Sequence, residues 1–372
     1  MKIEIVPYSR QFEGPVRRFN SRLRADKTRA PAFPECHVPE WLPKAGNPRV
    51  YQEFSLAVDE AAAVRGAYIL KHQAFLVNGA VRSIADYHLP ISEAIVDSRY
   101  NAVGLKLLAD AMRKQPRLFA LGMGGHEQPL SRMLKALGWT IMEVPFYFDV
   151  VRARVFFKNL APLRTTTLRR AACDLLAATG LGWAAVRVRR LGLPARGLPW
   201  SIAFEEVERF SGWADDLWHA SKDRHALIAV RDRDILNTLY PPGSDRFIRL
   251  KVLREGKPIG WAVLLATAMS GHRQFGNMKV GTLVDCLADP GDATAVVASA
   301  RRVLRARGVD LVVSYQGHAA WCRALKSCGF LEGPSNFLFA VSPTLAADLQ
   351  PFDQKRGLFH LNRGDGDGPI HL

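Results

Sequence analysis

Arg99, Ala102 and Gly104 have the residue types and spacing that a phosphate group calls for. They form an Arg-x-x-Ala-x-Gly series after an apolar run predicted as a strand, Ile91 to Val96, at the opening of a predicted helix, Val103 to Lys114. At such a junction the first helical N–H groups have no partner, and the helix dipole favours anions. Small side chains let the backbone approach a pyrophosphate, and a guanidinium meets its charge. Ile95, Val96, Arg99, Asn101, Ala102, Val103 and Gly104 are therefore the candidate contacts to a pyrophosphate. The corresponding point of the second half reads Ala288-Asp289-Pro290-Gly291-Asp292-Ala293. Gly291 and Ala293 keep the small residues there, but the cation is missing, and Asp289 and Asp292 would repel a phosphate. The first half is the expected binder.

The elements that must position these loops occur twice along the chain. Val58 and Gly66 stand eight residues apart across a turn-like segment, as do Val252 and Gly260. Each pair predicts a β-hairpin. Each half then offers an apolar strand, a long helix, another strand, and a short helix ending in Gly-aromatic. The long helices are predicted over Val103 to Lys114 and Thr294 to Arg307. The strands after them run over Leu118 to Gly122 and Leu311 to Ser314, and the ends are Gly138-Trp139 and Gly329-Phe330. From hairpin Gly to terminal Gly the distance is 72 residues in one half and 69 in the other. Unrelated domains would seldom agree so well.

With this order of elements, Arg99-x-x-Ala102-x-Gly104 resembles the pyrophosphate motif of the GNAT-type (acetyl-CoA-dependent) N-acyltransferases, Gln/Arg-x-x-Gly-x-Gly/Ala. Ala102 departs from the usual Gly. Pro129 to Trp139 and Trp321 to Phe330 resemble that family's last helix and its Gly-aromatic end. The resemblance implies an α/β fold of two tandem GNAT-like domains, each a mixed, mostly antiparallel central sheet flanked by helices. The domains would span 1–158 and 200–345, with a helical linker over 159–199 and a tail over 346–372. It further implies acetyl-CoA or another acyl-CoA as co-substrate, and a small-molecule amine or amino-sugar as acceptor. Many members carry a Tyr four residues before the terminal Gly, as acid for the departing thiolate. Leu134 and Leu325 stand there instead. The candidate bases are Glu93, Asp97 and His126 in the first half, and Asp285 and His318 in the second. Glu93, six residues before Arg99 on the predicted strand, is the preferred one. Tyr100 is a candidate acid for which a packing role is expected.

Tandem halves are also similar to the FemABX aminoacyltransferases and to acyltransferase-like proteins of bacterial exopolysaccharide clusters. This implies two alternatives: transfer of an aminoacyl group from charged tRNA, or a non-catalytic scaffold in polysaccharide assembly.

Composition bounds these readings. The 372 residues carry 51 Lys and Arg against 35 Asp and Glu, a net charge of +16. That balance favours an anionic partner such as a nucleotide cofactor, RNA or an acidic membrane face. The five cysteines show no CxxC pair and no metal-ligand spacing, so no metal is expected and a reducing, cytoplasmic setting is. No run of eighteen apolar residues predicts a spanning helix. Between the halves, Ala171 to Val186 is apolar with Asp174 as its one charge. Arg169 and Arg170 precede it; Arg187, Arg189 and Arg190 follow. This predicts one amphipathic helix, either packed on the domains or lying on the anionic inner face of a membrane. Leu193 to Pro199 reads as a linker, and Asn362 to Gly368 as a flexible tail.

Overall fold

Runs rich in Val, Ile, Phe and Tyr become strands throughout the chain. The computed structural model describes residues 2–25, 31–45, 49–189 and 200–366. In chain order the strands of the first half are β1 (Ile3–Pro7), β2 (Val50–Asp59), β3 (Val64–Val77), β4 (Ala80–Ser92), β5 (Leu118–Leu121), β6 (Thr140–Glu143) and β7 (Phe146–Val150). They are followed by β8 (Ile202–Glu206), β9 (Leu227–Ala229), β10 (Ile248–Arg254), β11 (Lys257–Ala268), β12 (Lys279–Ala288), β13 (Leu311–Tyr315), β14 (Leu331–Gly333) and β15 (Leu338–Val341). The helices used below are α1 (Glu13–Ala25), α2 (Asn101–Lys114), α3 (Pro129–Ala136), α4 (Ala153–Asn159), α5 (Thr167–Thr179), α6 (Leu181–Arg189), α7 (Gly212–Ser221), α8 (Arg233–Leu239), α9 (Ala293–Ala306) and α10 (Ala319–Ser327).

The chain divides into two units, Met1–Met142 with Leu338–Phe352, and Glu143–Phe337 with Asp353–Leu372. The first contains a sheet in the order β1-β2-β3-β4-β5-β15-β6, the second one in the order β14-β7-β13-β12-β11-β10-β8. β4 with β5 and β12 with β13 run parallel, while β1 with β2, β2 with β3, β3 with β4, β5 with β15, β7 with β13 and β14, β8 with β10, β10 with β11 and β11 with β12 run antiparallel. The expected fold class, a mixed, mostly antiparallel sheet flanked by helices in each half, is the one observed. No single cut in the sequence separates the units, because β7 and β15 are exchanged. β7 pairs with β13 and β14, and β15 pairs with β5. The buried Asp149 of β7 accepts hydrogen bonds from Arg301 (2.7 Å) and Arg305 (2.9 Å) of α9, which ties the exchanged strand into its sheet.

The repeated glycines do the same work in both units. A Cβ on Gly66 would lie 2.8 Å from Val103 of α2 and 2.9 Å from the carbonyl oxygen of Ile91. One on Gly260 would lie 2.6 Å from Val296 of α9 and 2.8 Å from that of Leu287. Only glycine lets each helix settle onto its sheet so closely. Gly138 and Gly329 end α3 and α10 with φ of 80° and 81°. The next N–H, of Trp139 or Phe330, returns to the carbonyl of Leu134 or Leu325, the hydrogen bond of a left-handed helix stop.

Three sequence expectations are corrected. The strand before the phosphate motif ends at Ser92, and a 3-10 turn over Glu93–Ile95 follows. The interdomain segment is two helices bent by 98°, since Gly180 takes φ of 74° between α5 and α6. The tail is folded as far as it is described: Phe359 to Asn362 are buried, and Arg363–Asp365 form a capped 3-10 turn. Leu193 to Pro199 lies outside the described residues, as do Arg190 and the stretch beyond Gly366.

Candidate active site

In each unit a parallel pair of strands separates part-way along. β4 pairs with β5 through Asp86↔Phe119 and then continues to Ser92 beside β3. β12 pairs with β13 through Leu283↔Ser314 and continues to Ala288. In both, the pairing of the longer strand with its other neighbour shifts register close to this point, at Ala67/Ile69 and at Val263/Leu264. A bulge turns a strand away from its ladder. The two parallel strands thus part at their carboxyl ends, next to the loop that opens the following helix, and a crevice of this kind is a common place for a ligand.

In the second unit the chain fills this crevice itself. The carbonyl of Leu361 accepts from Gly317 N–H, just past β13, at 2.8 Å. On the opposite side, Asn362 Nδ2 donates to Asp285 of β12 at 2.8 Å. Asp285, a candidate base in the sequence, also accepts from Arg231 Nε (2.9 Å) and from the Tyr240 hydroxyl (2.8 Å). Arg231 Nη2 donates to Asp365 at 2.8 Å. Each of these residues is at most 1% exposed. Burial opposes the charge of Arg231, but Asp285 and Asp365 more than offset it and hold its pKa above the ordinary value. Asp285 thus anchors the segment 359–365 and faces no open space. His318, whose Nδ1 accepts from Ala320 N–H and caps α10, lies in the same buried region. Its ring centroid is 5.0 Å from that of His225, which is 5.2 Å from that of His360.

In the first unit the corresponding loop is open on its outer side. Asn101 and Ala102 at the start of α2 are exposed, and a Cβ on Gly104 would meet only the Met133 sulfur, at 3.9 Å. Beyond β5 runs a loop in which Gly122, Gly124 and Gly125 all take positive φ, and His126 in it is exposed. Val103 is buried under the helix, Ile95 is exposed and Val96 half-buried. Arg99 is exposed, and its guanidinium grips Asp97 at 2.7 Å. Asp97 Oδ1 also accepts Arg99 N–H at 3.0 Å. Hydrogen bonds from Arg99 hold the Asp97 carboxyl below its ordinary pKa. Such an exposed pair is weak and screened, so a phosphate can compete with Asp97 for Arg99.

Glu93, the preferred base, is buried and immobilised. Its carboxylate accepts from Arg22 Nε at 2.7 Å and from Arg65 Nη1 at 3.0 Å. Arg65 also pairs with Asp59 at 2.8 Å and lies 4.6 Å over the ring of the buried Tyr100. Glu93 and Tyr100 therefore hold the loop in place. Leu134 and Leu325, at the place of the family's acid, are fully buried in core.

The sequence reading missed one pair. Lys71 of β3 and Asp86 of β4 are opposite one another across the ladder and at most 2% exposed. Asp86 is also the last β4 residue paired with β5, at the root of the crevice. The Lys71 ammonium lies 5.4 Å from the Trp41 ring centroid. A buried Lys and Asp on one rung were the available signal, since such residues are rarely buried without a role. Among the described residues, Glu13, Cys36 and His37 are the one group whose ligand atoms lie within 4.8 Å of one another. The 2.7 Å hydrogen bond between Glu13 and His37 accounts for that approach.

No protein-family model matches the chain, and no curated protein does. Solved structures do. Yeast (Saccharomyces cerevisiae) N-myristoyltransferase with bound myristoyl-CoA aligns with 96% of this chain and 85% of its own, at a TM-score of 0.54 and 11% identity. A protein of unknown function from Enterococcus faecalis, described as a probable N-acyltransferase, aligns with 91% of this chain and 72% of its own, at 0.50 and 8%. A GCN5-related N-acetyltransferase from Anabaena variabilis gives the same coverages, at 0.50 and 9%. The chain has the GNAT fold. At these identities the likeness concerns architecture, and the chemistry must be argued from the site.

Proposed function

We propose that the chain is an N-acyltransferase that holds its acyl-CoA in the crevice of the first unit. The observation that carries this reading is the contrast between the two crevices. One is filled by residues 359–365 of the chain itself, and the other presents an exposed helix N-terminus with Arg99 beside it. The Asn101 N–H is taken by the Ser98 carbonyl, so the N-terminus of α2 over Ala102 to Gly104 would face the pyrophosphate, with Arg99 leaving Asp97 to meet it. The bound thioester supplies an activated acyl group. The acceptor amine attacks its carbonyl carbon, the C–S bond breaks, and the ammonium proton passes to a base. We assign that base to Asp86, which stands opposite Lys71 across the ladder at the end of the β4–β5 pairing. Leu134, at the place of the family's acid, offers no proton to the leaving thiolate. A thiol with a pKa near 8.5 leaves adequately as thiolate in water, so the missing acid does not bar the reaction.

The acceptor class we propose is a polar amine, an amino-sugar of bacterial polysaccharide synthesis in particular, on the resemblance of tandem halves to proteins of exopolysaccharide clusters. The net charge of +16 supports a second reading, an aminoacyl group delivered on tRNA. Mass spectrometry and absorbance of what the purified protein carries separate the two: CoA supports the first, and RNA released steeply by salt the second. For the base, Asp86→Asn should lower kcat by about 10²–10⁴-fold while CoA binding is kept. An Asp86→Asn enzyme that binds CoA and turns over at the parent rate would remove Asp86 from the mechanism.

A further inference from the structure

The helices between the two halves carry an apolar surface that nothing among the described residues covers. On α5, Cys173 and Ala177 are buried, while Leu168, Ala171, Ala172, Leu175 and Ala178 are exposed. Those five follow the i, i+3, i+4, i+7 spacing of one helical stripe, and it points to solvent. Leu168 is 81% exposed. After the bend at Gly180, α6 adds Leu181, Val188 and Trp183, the last 61% exposed. Scattered apolar side chains are ordinary on a surface, but a continuous helical stripe of them marks an interaction site.

The charges around the stripe indicate what it meets. Arg169, Arg170 and Arg187 are all exposed, and the Arg187 guanidinium lies 5.1 Å over the Trp183 ring. The acidic residue of α5, Asp174, is engaged by Arg164 at 2.7 Å. An exposed apolar stripe edged with arginines and a tryptophan matches the boundary between headgroups and acyl chains of an anionic bilayer. No single described helix is long and apolar enough to cross a membrane. Two short helices with a 98° bend suit lying in the surface instead.

Behind these helices lies a cavity of about 450 Å³, within the range of small-molecule sites. It lies between Phe146 and Phe148 of β7 and the segment carrying Phe156, Phe157 and Val186, and among the described residues Gln274 is its one polar lining residue. Such a lining offers an acyl chain burial and offers a polar ligand almost no hydrogen bond.

We propose that α4, α5 and α6 form a lipid-binding element. The stripe of α5 and α6 lies in an anionic leaflet, the arginines meet its headgroups, and the Phe-lined cavity takes one acyl chain of a phospholipid. This stands independently of acyl transfer in the first unit. The test is flotation of the full chain with vesicles of phosphatidylglycerol and of phosphatidylcholine, followed by native mass spectrometry of the recovered protein. Binding to phosphatidylglycerol is expected, falling at least tenfold in high salt or in Arg169/Arg170/Arg187→Glu, and lost in Leu168/Leu175/Trp183→Glu. All six side chains are exposed, so the variants should fold, which circular dichroism checks. The recovered parent should carry one phospholipid, and Phe148→Arg should carry none while still floating. No flotation at low salt, equal flotation with both lipids, flotation that survives the Leu/Trp variant, or a dimer that buries the stripe overturns the surface. Protein recovered without lipid overturns the cavity.

Discussion

Acidification should weaken the second unit through its buried histidines. His225, His318 and His360 are at most 4% exposed. Burial lowers the pKa of His225 and of His318 from 6.5 to about 4. Burial, with Arg231 and the other two rings, pushes His360 well below 6.5. Each imidazole therefore binds its proton more tightly in the unfolded chain than in the fold. Stability is lost as pH falls through 6.5, and the loss continues down to about 4. With those two values, going from pH 7 to pH 5 costs about 2 kcal/mol per imidazole. His225 and His318 together cost about 4 kcal/mol, a large share of the roughly 5–15 kcal/mol that holds a domain folded. Hydrogen exchange of peptides covering β13 and α10, run at pH 7 and pH 5 and corrected for intrinsic rate, reads this opening free energy directly. His318→Gln should reduce the pH dependence, since it removes one of the rings that burial keeps neutral. Equal opening free energies at the two pH values would show that these histidines are not held neutral by burial.

Two further substitutions test the packing that forms the crevices. Gly260→Ala sets a Cβ 2.8 Å from the backbone oxygen of Leu287, which cannot rotate away. It should cost about 1–3 kcal/mol, and a Tm equal to the parent's would show that α9 has room to lift. Arg231→Met leaves Asp285 and Asp365 buried without their cation, at about 3–5 kcal/mol. Urea denaturation measures it, and an unchanged midpoint would mean that the network does not hold segment 359–365.

The repeat was legible because its markers answer backbone requirements. Gly66, Gly260, Gly138 and Gly329 stand where a Cβ would clash or where φ is positive, and no other residue serves. The strand-to-helix junction at Arg99 to Gly104 was legible for the same local reason. What escaped was long-range. Phe146 to Val150 is rich in strand-forming residues, but nothing local says which sheet it joins, since pairing depends on partners far along the chain. Glu93 looks like a base until Arg22 arrives from 71 residues away to neutralise it. Asn362 to Gly366 has the composition of a loose tail, yet its polar groups are satisfied by Asp285 and Arg231, 77 and 134 residues distant. Gly180 stands inside an apolar run expected as one helix, and only its observed φ of 74° divides that run into two.

Calorimetric titration of the full chain with CoA is the most direct measurement of the central claim, that the first unit alone offers a cofactor crevice. One CoA per chain is predicted. Its affinity should fall on the order of tenfold in Arg99→Ala, rise in Asp97→Asn, where the competing carboxylate is gone, and stay the same in Asp292→Asn. Two CoA molecules per chain, or one whose affinity ignores Arg99 and Asp97 and responds to Asp292, would contradict the account.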